Sequence, residues 1–595
     1  MPTRRNLLKS LLAAPLVLTP LGPRPVAAQT QVALLDLRRQ PQFVNRLPRP
    51  ARAMPVAGTR HYEIAARQFR GWVGLVDPRT RRPLETTLWG YDGAYPGPTF
   101  VVRRGEPVTV RWTNALVADG RMLPHLLPVD RTIHMAHTHS GPPGGTPIVT
   151  HLHGGHVESE SDGEPEAWFT PGFAERGPTF AKEVYRYDND QEAATLWYHD
   201  HALGLTRLNV GAGLAGFYLI RDENEDRLGL PAGDSEIPLL IQDRTFTARG
   251  ELFIASHPAH AGAPDPSIQP EEFGAGILVN GMLWPYEAVE PRRYRLRILN
   301  GSDSRFYSLA FEPRLPFVMI GTDAGLLESP VVLDRLVLAP AERVDVIVDF
   351  SHANARGRTV MLLNSAPTPF PKGAPPAPRT TGRVMAFRVA ANAAKDQSRV
   401  PDRLRRDPLP DLRPTAPIRE LVLFEGKDPH GRLRAMLGTL REGAKTWHDP
   451  VTEDPLLGAV EAWDVYNATP DTHPIHVHLV QFRVVGHRRF EGEPNESGVL
   501  GEIRWIEEDR PPGAGLRTQR AFAPRQGTRA SPVFPSTTAA VDSGKVAAFK
   551  STGCFYHRHP WRDKRPGQWP GHALLHRLKY HCALEPMECV FCCLR

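Results

Sequence analysis

Residues 96–112 read Pro-Gly-Pro-Thr-Phe-Val-Val-Arg-Arg-Gly-Glu-Pro-Val-Thr-Val-Arg-Trp, two runs of β-forming residues parted by Gly and Pro turns. That is the pattern of a hairpin in a β-sandwich. Residues 214–222 give a buried strand that runs into a charged turn, and 238–243, 294–300 and 343–350 are further strands, the last two alternating with period two;. A third set starts at 419–424 and continues through 461–467. The pattern predicts an all-β chain built from three units: 29–225, 236–392 and 418–515. Pro-rich stretches at 371–378 and 401–417 read as linker, with the connection between the second and third units placed at 393–417;. From about residue 516 the alternation stops, and Arg, Pro, His and late cysteines follow without period, so the third unit reads as incomplete and 516–595 as an aberrant tail.

Histidines fall on these strands in a spaced pattern. His473, His476 and His478 stand at H-x-x-H-x-H spacing before the apolar run Leu479-Val480-Gln481-Phe482. Residues two apart on a strand share a face, so His476 and His478 project together while His473, across a proline turn, aims elsewhere. This geometry suits two neighbouring metal centres. Neutral imidazole is a common ligand for copper and zinc, and the motif holds no carboxylate or thiolate. Standing alone, the motif also fits a His-rich surface loop. His151 and His153 repeat H-x-H on a short β-run, where Gly154 and Gly155 let the backbone pass close to a metal cluster, and His199 and His201 repeat it at the end of an aromatic β-run;. The three motifs together point to one site assembled by folding. His134, His137 and His139 imitate the spacing, but Pro142-Pro143-Gly144-Gly145 follow at once, so this copy reads as a polar loop;.

Length and composition narrow the picture. A chain of 595 residues exceeds one core;. The formal charge of +7 comes from 72 basic and 65 acidic residues scattered along the chain, which reads as solubility and excludes a nucleic-acid partner;. The N-terminus, with Arg4-Arg5, an apolar segment at 11–21 and small residues Val26-Ala27-Ala28, resembles a twin-arginine export signal spanning 1–28;. An ordinary secretory signal is the alternative. Either way the segment is too short and proline-broken for a membrane span, so the expected product is soluble, in the periplasm or secreted. All five cysteines lie at or after Cys554, which does not fit a disulfide framework;.

In their order and surroundings, His151-Leu152-His153-Gly154-Gly155, the 161–169 run Ser-Asp-Gly-Glu-Pro-Glu-Ala-Trp-Phe, Tyr198-His199-Asp200-His201-Ala202 and Thr472-His473-Pro474-Ile475-His476-Val477-His478 resemble a three-domain multicopper oxidase. They are most similar to the branch of bacterial spore-coat laccases, bilirubin oxidases and phenoxazinone synthases. The resemblance covers about residue 40 to 515. It implies three cupredoxin-like Greek-key β-sandwiches and four copper ions: a mononuclear type 1 copper that accepts electrons from a small aromatic reductant, and a type 2 ion plus a type 3 pair that reduce dioxygen to water. Carried over by position, His151 and His476 would bind type 2 copper. His153, His199, His201 and His478 would bind the type 3 pair, and His473 the type 1 ion. Asp162 matches an acidic residue that helps deliver protons to the cluster, although a turn residue in Ser161-Asp162-Gly163 is an equal reading.

The resemblance breaks at the end of the chain. The family closes with H-C-H-x-x-x-H and an axial methionine. Here His581-Cys582 match, Ala583 stands where a histidine belongs, and without a gap Met587 falls on the remaining type 1 histidine. A second imitation, His557-Arg558-His559, carries arginine in place of the thiolate, and arginine cannot ligate copper;. Out-of-frame translation of the tail explains these fragments; a divergent terminus in which Cys582 still binds copper is the rival. The function expected is therefore a laccase-like oxidase of phenols, aromatic amines or a bilirubin-type pigment. A copper-binding protein with lost catalysis is the alternative, and so is a metal-ion oxidase, although the ten methionines form no Met-rich segment;.

Overall fold

The structure is a computed structural model describing residues 32–506 apart from short breaks (135, 137–143, 259, 393–394, 410–413, 415–416, 457–458, 493–498 and 500–503), and, in the tail, 535–536, 538–541, 545–552 and 592–594. The export signal at 1–28, His137, His139, His581 and Cys582 lie outside the described residues.

The first unit contains β1 (His61–Gly71), β2 (Thr86–Tyr91), β3 (Gly97–Arg103), β4 (Val108–Ala115), a small hairpin of β5 (Val117–Ala118) and β6 (Arg121–Met122), β7 (Thr150–His153), β8 (Val184–Tyr187), β9 (Ala194–Asp200), helix α1 (Thr206–Ala212) and β10 (Ala215–Arg221). Two four-stranded sheets face each other, in the orders β2-β1-β4-β8 and β3-β10-β9-β7. β4 shows why alternation makes a sandwich: Val108, Val110, Trp112 and Asn114 are buried while the residues between them are partly exposed;. Its Trp112 meets Tyr198 at 5.1 Å, and Phe100 meets Tyr198 edge-on at 5.4 Å. Such pairs add about 0.5–1.5 kcal/mol each to the burial of the rings.

β9 is different, because all seven of its residues are buried. Leu196 and Tyr198 face the core of their own sandwich, whereas Trp197 packs on the other side with Leu240, Leu299 and Ala341 of the second unit. A strand covered on both faces reads as a continuous apolar run, and its end is the place where polar side chains are most completely shut off from water.

The second unit packs an eight-stranded sheet, centred on Glu236–Phe246, Arg293–Asn300 and Arg343–Asp349, against a five-stranded one. It is tied to the first by buried ion pairs. Arg295 and Arg297 both reach Glu225 (2.5 and 2.6 Å), Arg295 pairs with Asp345, Arg297 pairs with Glu236, and Arg297 Nη1 donates to Thr195 Oγ1 at 2.7 Å.

The third unit has a small core around Val422, Phe424, Tyr466 and Phe490. Its larger sheet includes Arg419–Lys427, Val460–Asn467 and Phe482–Glu491, and its smaller one is built on His473–Val477. The tail contributes to both. Lys545–Thr552 lies between Val460–Asn467 and Phe482–Glu491, and Thr538–Val541 and Cys592–Leu594 flank His473–Val477. Loss of long alternation after residue 516 therefore leaves room for short strands such as Val546-Ala547-Ala548-Phe549, which is apolar throughout and has no period to detect. Among the described residues no helix is long and apolar enough to cross a membrane.

Candidate metal centre

β7 and β9 pair antiparallel with His151 opposite His199 and Thr150 opposite Asp200, so the H-x-H motifs of the first unit are brought together by ordinary ladder register. The chain bends after Asp200, and the carboxylate of that residue holds the bend by accepting from Val149 N (3.0 Å), Ala202 N (3.0 Å) and Asn209 Nδ2 (2.7 Å). His201 N donates to Val149 O at 2.8 Å, which returns this residue to the same site. The third unit supplies His476 and His478. Leu479, directly after them, sits at φ 64°, a left-handed conformation that costs a non-glycine residue about 1–2 kcal/mol and turns the chain away;.

Six imidazoles converge. His153 stacks on His476 with centroids 3.6 Å apart, His151 stacks on His478 at 4.0 Å, and His201 meets His478 at 5.2 Å. His151 lies 5.5 Å from His199, which lies 5.6 Å from His201. The six residues are 0–3% exposed. Two sets, His151 with His153 and His199, and His151 with His476 and His478, have one ligand atom per residue all within 4.8 Å of one another.

The protonation chemistry favours a metal over a proton. Burial, followed by repulsion from neighbouring imidazoles and, for His153 and His199, from Arg343, holds His153, His199 and His201 well below the ordinary value of 6.5, so these rings are neutral;. Hydrogen bonds then select the tautomer. His151 Nδ1 donates to the backbone oxygen of Asp162 at 2.6 Å, His478 Nδ1 to Asp162 Oδ2 at 2.7 Å, and His199 Nδ1 to the backbone oxygen of Asp200 at 2.8 Å. In each ring Nε2 is then the acceptor nitrogen; that of His199 lies 3.4 Å from His153 Nδ1, and that of His151 is buried with no hydrogen-bond partner. A ligating histidine is normally oriented in this way through its other nitrogen. The donor set is imidazole only, which suits copper rather than calcium or magnesium.

Asp162 joins the two units that meet here. Burial alone would raise its carboxyl, but the imidazoles of His151 and His478 outweigh burial and hold it well below the usual carboxylate range. Gly163 makes this position possible: its φ is 80°, and a Cβ there would lie 2.1 Å from Thr150 O;.

His473 is set apart from the six. Its Nε2 is 2.7 Å from Thr469 Oγ1, whose hydroxyl donates to Asn467 Oδ1 at 2.8 Å, so Nε2 carries the proton and Nδ1 is the acceptor nitrogen. Burial lowers this imidazole to about 4. It lines an open cleft together with Glu271, Phe306, Glu425 and Asp471. His134 belongs to neither place; its ring packs edge-on against His448 at 4.9 Å. Two contributors were not assigned a role from the motifs. Asp200 was legible only as the residue between two histidines, and Trp197, whose ring lies 4.2 Å from His199, only as part of an aromatic run.

β-Sandwich units that enclose buried neutral imidazoles at the junction of the first and third define the class of protein. The chain belongs to the multicopper oxidase family. Multicopper oxidase family models match residues 76–146, 145–225 and 428–509. Within that family it is similar to laccases. It is 44% identical over 466 residues to the laccase of Bacillus subtilis (strain 168), covering 77% of this chain and 86% of that one, and 46% identical over 471 residues to the laccase of Bacillus stratosphericus, covering 78% and 87%. The fold is that of a multicopper oxidase from Aquifex aeolicus, with a TM-score of 0.60 at 24% identity over 86% of this chain and 93% of the other. The protein is thus a laccase-like, copper-dependent oxidoreductase of cupredoxin-like sandwiches.

Proposed function

We propose that this chain couples one-electron oxidation of phenols, aromatic amines or a bilirubin-type pigment to reduction of dioxygen, with the ligand roles carried by nine residues. In this reading His151 and His476 hold the type 2 ion, and His153, His199, His201 and His478, with His581, hold the type 3 pair. His473 and Cys582 hold the type 1 ion. Copper supplies the redox chemistry: four substrate molecules each lose one electron and one proton, and dioxygen takes up four of each to become two water molecules. The observation that carries the reading is the set of six buried imidazoles, three of which (His151, His199 and His478) are held by hydrogen bonds in the tautomer that leaves Nε2 as the acceptor nitrogen.

The protein's own groups do the rest. Asp162 fixes His478 with its carboxylate and His151 with its backbone oxygen, and in this reading the ionised carboxylate passes protons on towards dioxygen without storing them. His473, half-buried and neutral on the cleft it lines, is where a reductant comes nearest;. Export by a twin-arginine signal, which carries folded proteins, fits a chain whose metal site needs two units docked.

The broken H-C-H-x-x-x-H motif supports a second reading, in which the same fold binds copper without turning over. Metal analysis, visible spectroscopy and oxygen uptake on the copper-loaded protein separate them. The first reading expects blue absorption from a copper–thiolate bond and oxygen uptake with a phenol. A colourless protein that binds copper and leaves the phenol intact would establish the second.

A further inference from the structure

Dioxygen has to reach imidazoles that are at most 3% exposed, so it must travel through a gap in the packing. A cleft, partly open to solvent, lies where the first unit meets the second, walled in part by Leu127, Val210, Leu252, Phe253 and Ile254, and His201 is the member of the six imidazoles that lines it. Val210 belongs to α1, and Leu252 and Phe253 form a short strand of the second unit whose side chains, with Ile254, are only half-buried and form the rim.

The two arginines of the same wall and Asp243, which pairs with Arg305, are tied into the fold. Arg207 donates to Asp303 Oδ1 (2.9 Å), Gln269 O (2.6 Å) and Pro270 O (2.9 Å). Arg244 donates to Gly211 O, Asp243 O and Val210 O at 2.8–3.0 Å. The surface that faces inward is mainly apolar, with the Glu272 carboxyl also in the wall. An apolar lining of this kind accepts small apolar guests, and dioxygen is the apolar reactant of this enzyme class.

We infer that this cleft is the dioxygen route, entering at Leu252–Ile254 and ending on the imidazole of His201. The inference rests on the proposed role of His201 in the copper cluster, and its test is arranged to work without copper.

The copper-free full chain, labelled with ¹³C in its histidine rings and in Ile, Leu and Val methyl groups, is placed under dioxygen pressure, and paramagnetic broadening is read by NMR. Broadening is expected at Leu127, Val210, Ile254 and the His201 ring, well above that at Ile320 in the core of the second unit. In Ile254→Trp the broadening at His201 and Val210 is expected to fall by more than half. Leu252→Phe, a smaller filling at the same rim, gives the same direction if the tryptophan variant does not fold. Xenon-pressurised crystals should show a site between Leu127, Val210 and Ile254. No excess broadening in the wild-type cleft, or broadening at His201 that persists in a folded rim variant, overturns the route. Copper content is measured separately: fewer than three ions per chain would count against the ligand roles and leave the NMR result to judge the cleft.

Discussion

The first unit meets the second and the third through two buried polar junctions that solve the same problem in opposite ways. Against the second, charge is buried and answered: Glu225 and Glu236 face Arg295 and Arg297, and although burial alone would raise Glu225, the two guanidinium groups outweigh it and hold it at about 2. Against the third there is also a buried ion pair, Arg432 with Asp130, but at the histidine cluster the arrangement differs: His153, His199 and His201 are kept neutral, and Nδ1 of His151, His199 and His478 is tied to an oxygen so that Nε2 is left as the acceptor nitrogen. Donors and acceptors that complete one another make a joint; donors that are oriented but unspent make a binding site.

Four substitutions break or sharpen that contrast. The largest effect is expected from His476→Ala, which should abolish oxygen uptake and remove copper from the cluster while the copper-free protein keeps its unfolding temperature within a few degrees. Metal analysis, oxygen consumption and calorimetry read this out, and oxygen uptake that survives in an active, repaired chain would remove His476 from the site. Arg297→Met should do the reverse, costing about 3–5 kcal/mol in urea unfolding because buried carboxylates lose a partner, with copper content per folded chain unchanged. Asp162→Asn keeps the carbonyl that orients His151 but weakens the hold on His478, so copper affinity measured by competition with a chelator is expected to drop 10–100-fold. An unchanged affinity would return Asp162 to a turn residue.

The smallest effect concerns Glu272, in the wall of the apolar cleft. Burial, then Asp303 and Asp243, push its carboxyl up from 4.5 to about 7. Folding therefore takes up a proton between those values, so this group lowers stability as pH rises from 4.5 to 7, and the loss is complete above 7. Glu272→Gln is expected to raise the unfolding temperature more at pH 8 than at pH 5. Equal gains at both would show that the carboxyl is not buried as described.

Much of this was legible in the chain because the relevant periods are short. Two-residue spacing on strands placed His151 with His153 on one face of β7, and the strand pattern gave an all-β chain. Register explains why the separate motifs meet, yet register between strands about fifty residues apart leaves no mark in either one: nothing in 150–153 says that His151 will lie opposite His199. The role of Asp162 was ambiguous for the same reason, since Ser-Asp-Gly describes a turn equally well and only the approach of His478 from 316 residues away decides what the carboxylate touches. The tail was harder. A run such as Val546 to Phe549 shows no alternation, so its pairing with Val460–Asn467 follows from its neighbours rather than from its own pattern.

The stacking of His153 on His476 and of His151 on His478 spans two units of the chain, and it makes metal supply a variable in folding. An ion held by His151, His476 and His478 would favour the docked arrangement, whereas a chain whose third unit is detached keeps only the set of His151, His153 and His199. By mass action, a hundredfold excess over the dissociation constant of a site present only in the docked state adds about 2.7 kcal/mol to it. A cell that withholds copper would then lose assembled protein as well as activity, and the abundance of the folded chain would report the metal available where it is made.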